Sequence, residues 1–141
     1  MEDEVSNVLS TLRLSHCVFD DLHFRRLGFP GTSSPKDDQF QFSRHINKDA
    51  DGAYRVTLSA HVERENEFDL VMSITGYFEI DEQDQNKDTL LEKNAVAILF
   101  PFLRAELSLM TAQPEMMPVV LPAINITAMF DEARKKKDEA E

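Results

Sequence analysis

The sequence predicts an α+β domain in which an antiparallel sheet comes first and helices follow. Apolar and polar residues alternate one by one from Tyr54 to Glu63, which is typical of a half-buried antiparallel strand. From Asp88 the apolar spacing changes to a helical period. Because the strand signals all precede the helical signals, this order favours α+β over a regular α/β alternation.

Three further segments complete the strand pattern. Residues 12–27 form an extended segment that a glycine- and proline-containing loop closes from Gly28 onward. The next segment places four residues on one face: Phe40, Phe42, Arg44 and Ile46. After a polar tip at residues 64–67, a last segment has one apolar side, made of Phe68, Leu70, Met72, Ile74, Phe78 and Ile80. Together with the strand from Tyr54, it predicts a hairpin.

The helical region carries two apolar stripes. One contains Leu91, Ala95, Ile98 and Phe102, and the other contains Leu99, Leu103, Leu107 and Met110. This apolar surface is wider than a helix needs to cover one sheet. Pro114 follows its end, residues 116–122 form an irregular apolar crossing, and Asn125 can cap a short helix through Lys137. With no repeat and no separate linker, residues 1–141 are expected to form a single domain.

Composition excludes several classes of protein. A net charge of -11 over 141 residues makes nucleic acid an unfavourable partner, and the basic run at residues 134–137 is interpreted as a solvated helix end. A single cysteine, Cys17, excludes an intramolecular disulfide and a cysteine-based zinc site. The acidic N-terminus lacks the pattern of a signal peptide, and no apolar run is long enough to cross a bilayer. We therefore expect a soluble cytoplasmic protein.

No catalytic constellation, metal site or cofactor cradle is predicted. Residues 47–52 resemble half of a calcium loop, but Leu58 stands where a bidentate glutamate is needed. The four histidines are scattered, and His16 and Cys17 are neighbours in a strand, so they point to opposite faces. An enzyme or ligand-binding protein that uses His61, or the His16 and Cys17 pair, is kept as the competing hypothesis.

The chain has an excess of flexible and aromatic apolar residues. It contains ten phenylalanines and six methionines, and four methionines cluster after the long helix: Met110, Met116, Met117 and Met129. Methionine side chains adapt to many partner shapes, although each of these residues could equally fill a core.

The block from Leu99 to Arg104, which reads LFPFLR, resembles the SecB family of protein-export chaperones. The resemblance extends to the apolar crossing, to Ala128-Met129-Phe130 and to the hairpin at residues 76–80. It implies a four-stranded antiparallel sheet packed against a long helix, kinked at Pro101, and a short C-terminal helix. It also implies an ATP-independent chaperone, a holdase, that forms a homotetramer (a dimer of dimers) through the long helices.

The resemblance also suggests residue roles. Clients, which are unfolded or precursor polypeptides, would lie in apolar grooves lined by Phe40, Phe42, Phe68, Phe102 and Phe130, to which we add Met116 and Met117. The interface between long helices would contain Leu99, Leu103, Arg104 and Leu107.

Two partner roles remain open. Family members dock the export motor SecA through acidic residues on the sheet, and Asp21 keeps such an acid. Arg25, Asp69 and Val71 depart from the family pattern. Divergent members serve toxin–antitoxin systems, so an antitoxin is the alternative partner.

Overall fold

The computed structural model describes residues 11–29, 34–121 and 124–131. Its strands are β1 (Arg13–Arg26), β2 (Gln39–Lys48), β3 (Tyr54–Arg64) and β4 (Phe68–Glu79), with a 3-10 turn at Pro35–Asp37 before β2. A long helix, α1, combines an α-helical turn (Lys87–Thr89), a π-helical segment (Leu90–Asn94) and an α-helix (Ala95–Met110). A short helix, α2, covers residues 126–131. The predicted fold class, with four strands, one long helix and one short helix, is confirmed.

The four strands form one antiparallel sheet in the order β1-β4-β3-β2. The β3–β4 hairpin therefore lies in the centre, where the alternation of apolar residues was clearest in the sequence. Strand β1 is an edge strand with two irregularities in its pairing, one after Leu14 and one after Phe19. Extra residues of this kind twist and bend an edge strand.

One face of the sheet packs against α1 and forms the core. The fully buried side chains of β3 and β4 on this face include Val56, Leu58, Val62, Phe68, Leu70, Met72, Ile74 and Phe78. Gly76 lies in the same row, and a Cβ atom there would come within 2.8 Å of Leu99 Cδ2 and 2.6 Å of Phe78 Cε2. The glycine therefore lets the helix approach the sheet closely.

The long helix departs from regular α-helix upstream of its proline. The Ala95 amide donates to the Leu90 carbonyl oxygen, which closes a π-type turn, whereas Ala95–Met110 continues as α-helix through Pro101. Insertions of this type are a recognised cause of helix bending. The departure from α-helical hydrogen bonding thus lies in the π-helical segment, upstream of Pro101.

Local turn and cap chemistry follows the sequence in two places. The Ala128 amide donates to Asn125 Oδ1 at 3.1 Å, which confirms the predicted cap of α2. The predicted extension of this helix to Lys137, with the basic run, lies outside the described residues. Between β2 and β3, Gly52 has a φ of +89° and Asp49 forms an ion pair with Arg55. This segment is therefore a hairpin turn whose first acidic residue already has a cationic partner.

Candidate functional site

The segment that crosses from α1 to α2 presents apolar side chains to solvent. Val119 and Leu121 turn inward and are buried, whereas Met117 is 64% exposed and Val120 is 76% exposed. Exposed apolar groups that lie together on a surface commonly mark a binding site. Residues 116–121 are called the crossover segment below.

Polar groups of α1 hold the crossover segment in this path. The Thr111 hydroxyl donates to the Leu107 carbonyl oxygen and accepts the Val119 amide, each at 2.8 Å. The Ser108 hydroxyl donates to the Val119 carbonyl oxygen at 2.9 Å. The bonds to the Val119 amide and carbonyl satisfy backbone groups that lie outside any strand or helix, so the outward side chains are displayed on a fixed backbone.

Two arginines of the sheet complete the attachment. Arg26 donates to the carbonyl oxygens of Pro114 at 2.9 Å and Glu115 at 2.7 Å. Arg64 donates to the Met117 carbonyl oxygen at 2.6 Å and makes two bonds to the Asp38 carboxylate, at 2.8 and 2.9 Å. Arg64 lies at the predicted hairpin tip, as the last residue of β3, but its side chain is only 1% exposed.

An aromatic row runs from the edge strand β2 onto α1. The rings of Phe40 and Phe42 are parallel with centroids 6.3 Å apart, and Phe42 meets Phe100 edge-on at 6.2 Å. At the far end of β2, the Arg44 guanidinium lies 4.8 Å from the Phe130 ring centroid. Phe40, Phe42 and Phe130 are half-buried, so the row is both part of the fold and accessible.

A cavity of about 230 Å³ lies between α1 and the start of α2. Its lining is mainly apolar and includes Phe100, Pro101, Arg104, Ile124 and Ile126. Phe100 therefore joins this cavity to the aromatic row. Sequence reasoning did not select Phe100 as a site residue, although it lies in the motif that carried the family resemblance.

Four of the predicted site residues are core residues in the chain. Phe68, predicted to bind clients, has no exposed surface, and the same is true of Leu99, Leu103 and Leu107, predicted to form a helix interface. In the single chain these four side chains offer no surface to a client or to a second helix, and their assigned roles stay predictions. Phe68 shares the sheet face of Leu70 and Met72, and the three leucines form the stripe of α1 that covers this face.

The other predicted site residues are at least partly exposed. Phe102 is 47% exposed and Met117 is 64% exposed, whereas Met116 and Arg104 are half-buried and Asp21 is exposed. The outward stripe of α1 consists of Ile98, Phe102, Ala105 and Leu109, of which Leu109 is 67% exposed. This outward stripe, and not the leucine stripe, is available to another subunit.

The opposite face of the sheet is polar. Thr57 and Thr75 are hydrogen-bonded across β3 and β4 at 2.8 Å, and Ser59 and Ser73 at 2.7 Å. His16 stacks on Tyr77 on this face, with ring centroids 4.4 Å apart, whereas Cys17 packs toward the core. The two residues do not form a nucleophile and base pair.

Among residues 11–29, 34–121 and 124–131, no helix combines the length and apolar character that crossing a membrane requires.

Comparison with known proteins identifies relatives of the chain. The family described as preprotein translocase subunit SecB matches residues 19–137. An uncharacterized protein of Methanocaldococcus jannaschii is 39% identical over 71 residues, which cover 50% of this chain and 46% of that protein. The match thus spans about half the length of this curated relative.

A solved structure shares the fold. It is a SecB-like chaperone of Mycobacterium tuberculosis in complex with a ChAD peptide from the HigA1 antitoxin. The TM-score is 0.68 at 13% sequence identity, and the match covers 81% of this chain and 91% of that chain. At this identity the likeness concerns the fold.

Proposed function

This chain belongs to the SecB family, and we propose that it acts as an ATP-independent chaperone, a holdase, that binds unfolded polypeptide segments. The observation that carries the proposal is the crossover segment, which displays Met117 and Val120 on a fixed backbone. Binding of the unfolded state by mass action would retard aggregation without a catalytic step.

The client surface combines the crossover segment with the aromatic row. Arg64 bonds both the Met117 carbonyl oxygen and the Asp38 carboxylate, and Asp38 immediately precedes β2. Met117 therefore lies near the Phe40 end of the row. Flexible methionine beside rigid aromatic rings suits clients of varied sequence.

Aggregation of a chemically unfolded test protein, followed by light scattering, tests the holdase function. We expect the chain at a few-fold molar excess to suppress scattering, and Val120→Asp to weaken the suppression because a carboxylate cannot be buried against an apolar client without cost. Ser43→Asp, on the opposite face of the sheet, is the charge-matched control and should protect like wild type. Absence of protection by the wild-type chain would contradict the proposal.

We further propose a homotetramer, a dimer of dimers, in which the outward stripe of α1 is covered by another subunit. The exposed Phe102 and Leu109 support this assignment. Leu109→Lys should reduce the mass measured by light scattering, whereas Ser43→Asp should not change it. A wild-type monomer at micromolar concentration would refute the tetramer.

Two roles in the cytoplasm are distinguished by the proteins that the chaperone binds. The family description, preprotein translocase subunit, favours delivery of precursors for export. In this role exposed Asp21, on the polar face of the sheet, would be the acid that docks the motor SecA. The chaperone of the related structure holds an antitoxin peptide, which favours a dedicated client. A pull-down from native extract separates the roles, since a spread of precursors with the motor indicates export and one dominant small protein indicates an antitoxin.

A further inference from the structure

The polar face of the sheet brings three metal-ligating side chains together near the β3–β4 hairpin. His61 Nε2 lies 2.6 Å from Asp69 Oδ1 and 3.2 Å from Glu63 Oε1. The three ligand atoms all lie within 4.8 Å of one another. The cluster lies outside the proposed client surface, which is on the other side of the sheet.

Strand register explains why these groups meet. Glu63 pairs directly with Asp69 across β3 and β4, and His61 is two residues before Glu63 on the same face. Like charges directly opposite each other destabilise a sheet. In the described part of the chain, the only basic side chain within ion-pair distance of either carboxylate is the His61 imidazole; Arg25, although paired with Asp69 in register, forms no such contact.

We propose that His61, Glu63 and Asp69 bind a divalent transition metal, with Zn²⁺ the best match. One imidazole and two carboxylates suit a borderline metal, whereas Mg²⁺ and Ca²⁺ prefer oxygen ligands alone. Two ligands of one Zn²⁺ lie about 3.4 Å apart in tetrahedral geometry. The 3.2 Å between His61 and Glu63 is close to this spacing. The 2.6 Å contact between His61 and Asp69 is a hydrogen bond, which a bound ion would replace as the Asp69 carboxylate moves back by less than about 1 Å.

The surroundings supply further oxygen ligands and room for them. Glu63 also lines a cavity of about 420 Å³ together with Asp37, Gln39 and Glu65. The side chains of His61, Glu63 and Asp69 are 35%, 53% and 44% exposed. Three protein ligands with an open side form a site whose remaining positions are filled by water or by a group of a bound partner.

The affinity of the site for Zn²⁺ is measured by competition with an indicator. The full chain is stripped with EDTA, exchanged into metal-free buffer and titrated with Zn²⁺ against a chromophoric zinc indicator. We expect one ion per chain, complete loss of this binding in His61→Ala, and at least tenfold weaker binding in Glu63→Gln or Asp69→Asn.

Two control variants distinguish direct coordination of Zn²⁺ from nonspecific electrostatic attraction of the ion. His45→Ala removes an exposed histidine of β2, and Glu65→Gln removes a carboxylate of the acidic cavity that is not in the ligand set. Both should bind Zn²⁺ within about threefold of wild type. Equal affinity of wild type and His61→Ala, or no zinc binding by wild type at micromolar concentration, would overturn the proposal.

An NMR spectrum of the histidine rings in the wild-type chain provides a test that does not depend on the folding of a variant. Zn²⁺ should shift the ring signals of His61 and leave the other three histidine rings unchanged, and excess Mg²⁺ should not reverse the shift. A uniform effect on all four rings, or full reversal by Mg²⁺, would show that the cluster shares only a proton and attracts ions without ligating them.

Discussion

Truncation of Met117 should weaken client binding with little effect on stability, whereas truncation of Phe68 should do the opposite. Both residues were predicted from sequence to bind clients, but Met117 is 64% exposed and Phe68 has no exposed surface. Full burial of a methionine side chain contributes about 1.5 to 3 kcal/mol. Met117 therefore has about 1 to 2 kcal/mol left to gain from a client, which corresponds to a roughly 5- to 25-fold change in Kd.

Phe68 has nothing left to gain from a client, because its ring already packs in the core near Phe24 and under the Arg64 guanidinium. Phe68→Ala should lower the free energy of unfolding by about 3 to 5 kcal/mol. For Met117→Ala we expect a loss of less than about 1 kcal/mol, because most of the side chain is in solvent and its carbonyl bond to Arg64 does not depend on the side chain.

The assays are urea unfolding for stability and fluorescence anisotropy of a labelled unfolded segment for affinity. Light scattering of each variant confirms that the assembly state is unchanged before affinities are compared. The reasoning is refuted if folded Phe68→Ala loses more client affinity than Met117→Ala, or if Met117→Ala binds like wild type.

Three further substitutions test how the fold is held together. Arg64→Met should lower the free energy of unfolding in urea by about 3 to 5 kcal/mol because it leaves Asp38 buried without its partner. Adding Asp38→Leu should recover part of this loss. An unchanged unfolding midpoint for the single variant would contradict a buried ion pair. Gly76→Ala should cost about 1 to 3 kcal/mol, since the new methyl group meets Leu99, and a neutral result would mean that the helix shifts freely. Hydrogen bonds from Lys87 and Lys48 lower the pKa of Glu82 from 4.5 to about 2. The contribution of ionised Glu82 to the free energy of unfolding is therefore complete above pH 4.5 and lost as the pH falls through 2. The stability difference between wild type and Glu82→Gln should shrink over that interval and stay constant above it.

The central hairpin was predictable because its side chains alternate without interruption. Residues 54–63 were assigned correctly, and the apolar side of β4 is the buried side. The same alternation placed Phe68 beside Leu70 and Met72, so its burial was readable from the sequence. The role in client binding came from the resemblance to the family and conflicted with the pattern.

The helix stripes show where periodicity becomes ambiguous. Two apolar stripes on α1 predicted two contacts, but the spacing does not say which stripe faces the sheet. The structure buries Leu99, Leu103 and Leu107; in the other predicted stripe it buries Leu91 and Ala95 and leaves only Phe102 largely exposed. Gly76 partly determines which stripe faces the sheet, because the absence of a side chain there makes room for Leu99.

The sequence by itself determined the fold class, the order of the elements, the cap at Asn125 and the apolar surplus, because each depends on residues close together along the chain. Only the tertiary structure decided that Arg64 is buried against Asp38 and the crossover segment, and that His61 reaches Asp69. These contacts join residues from different elements. Their formation depends on strand register and on how closely α1 packs on the sheet, and neither is encoded in a local periodicity.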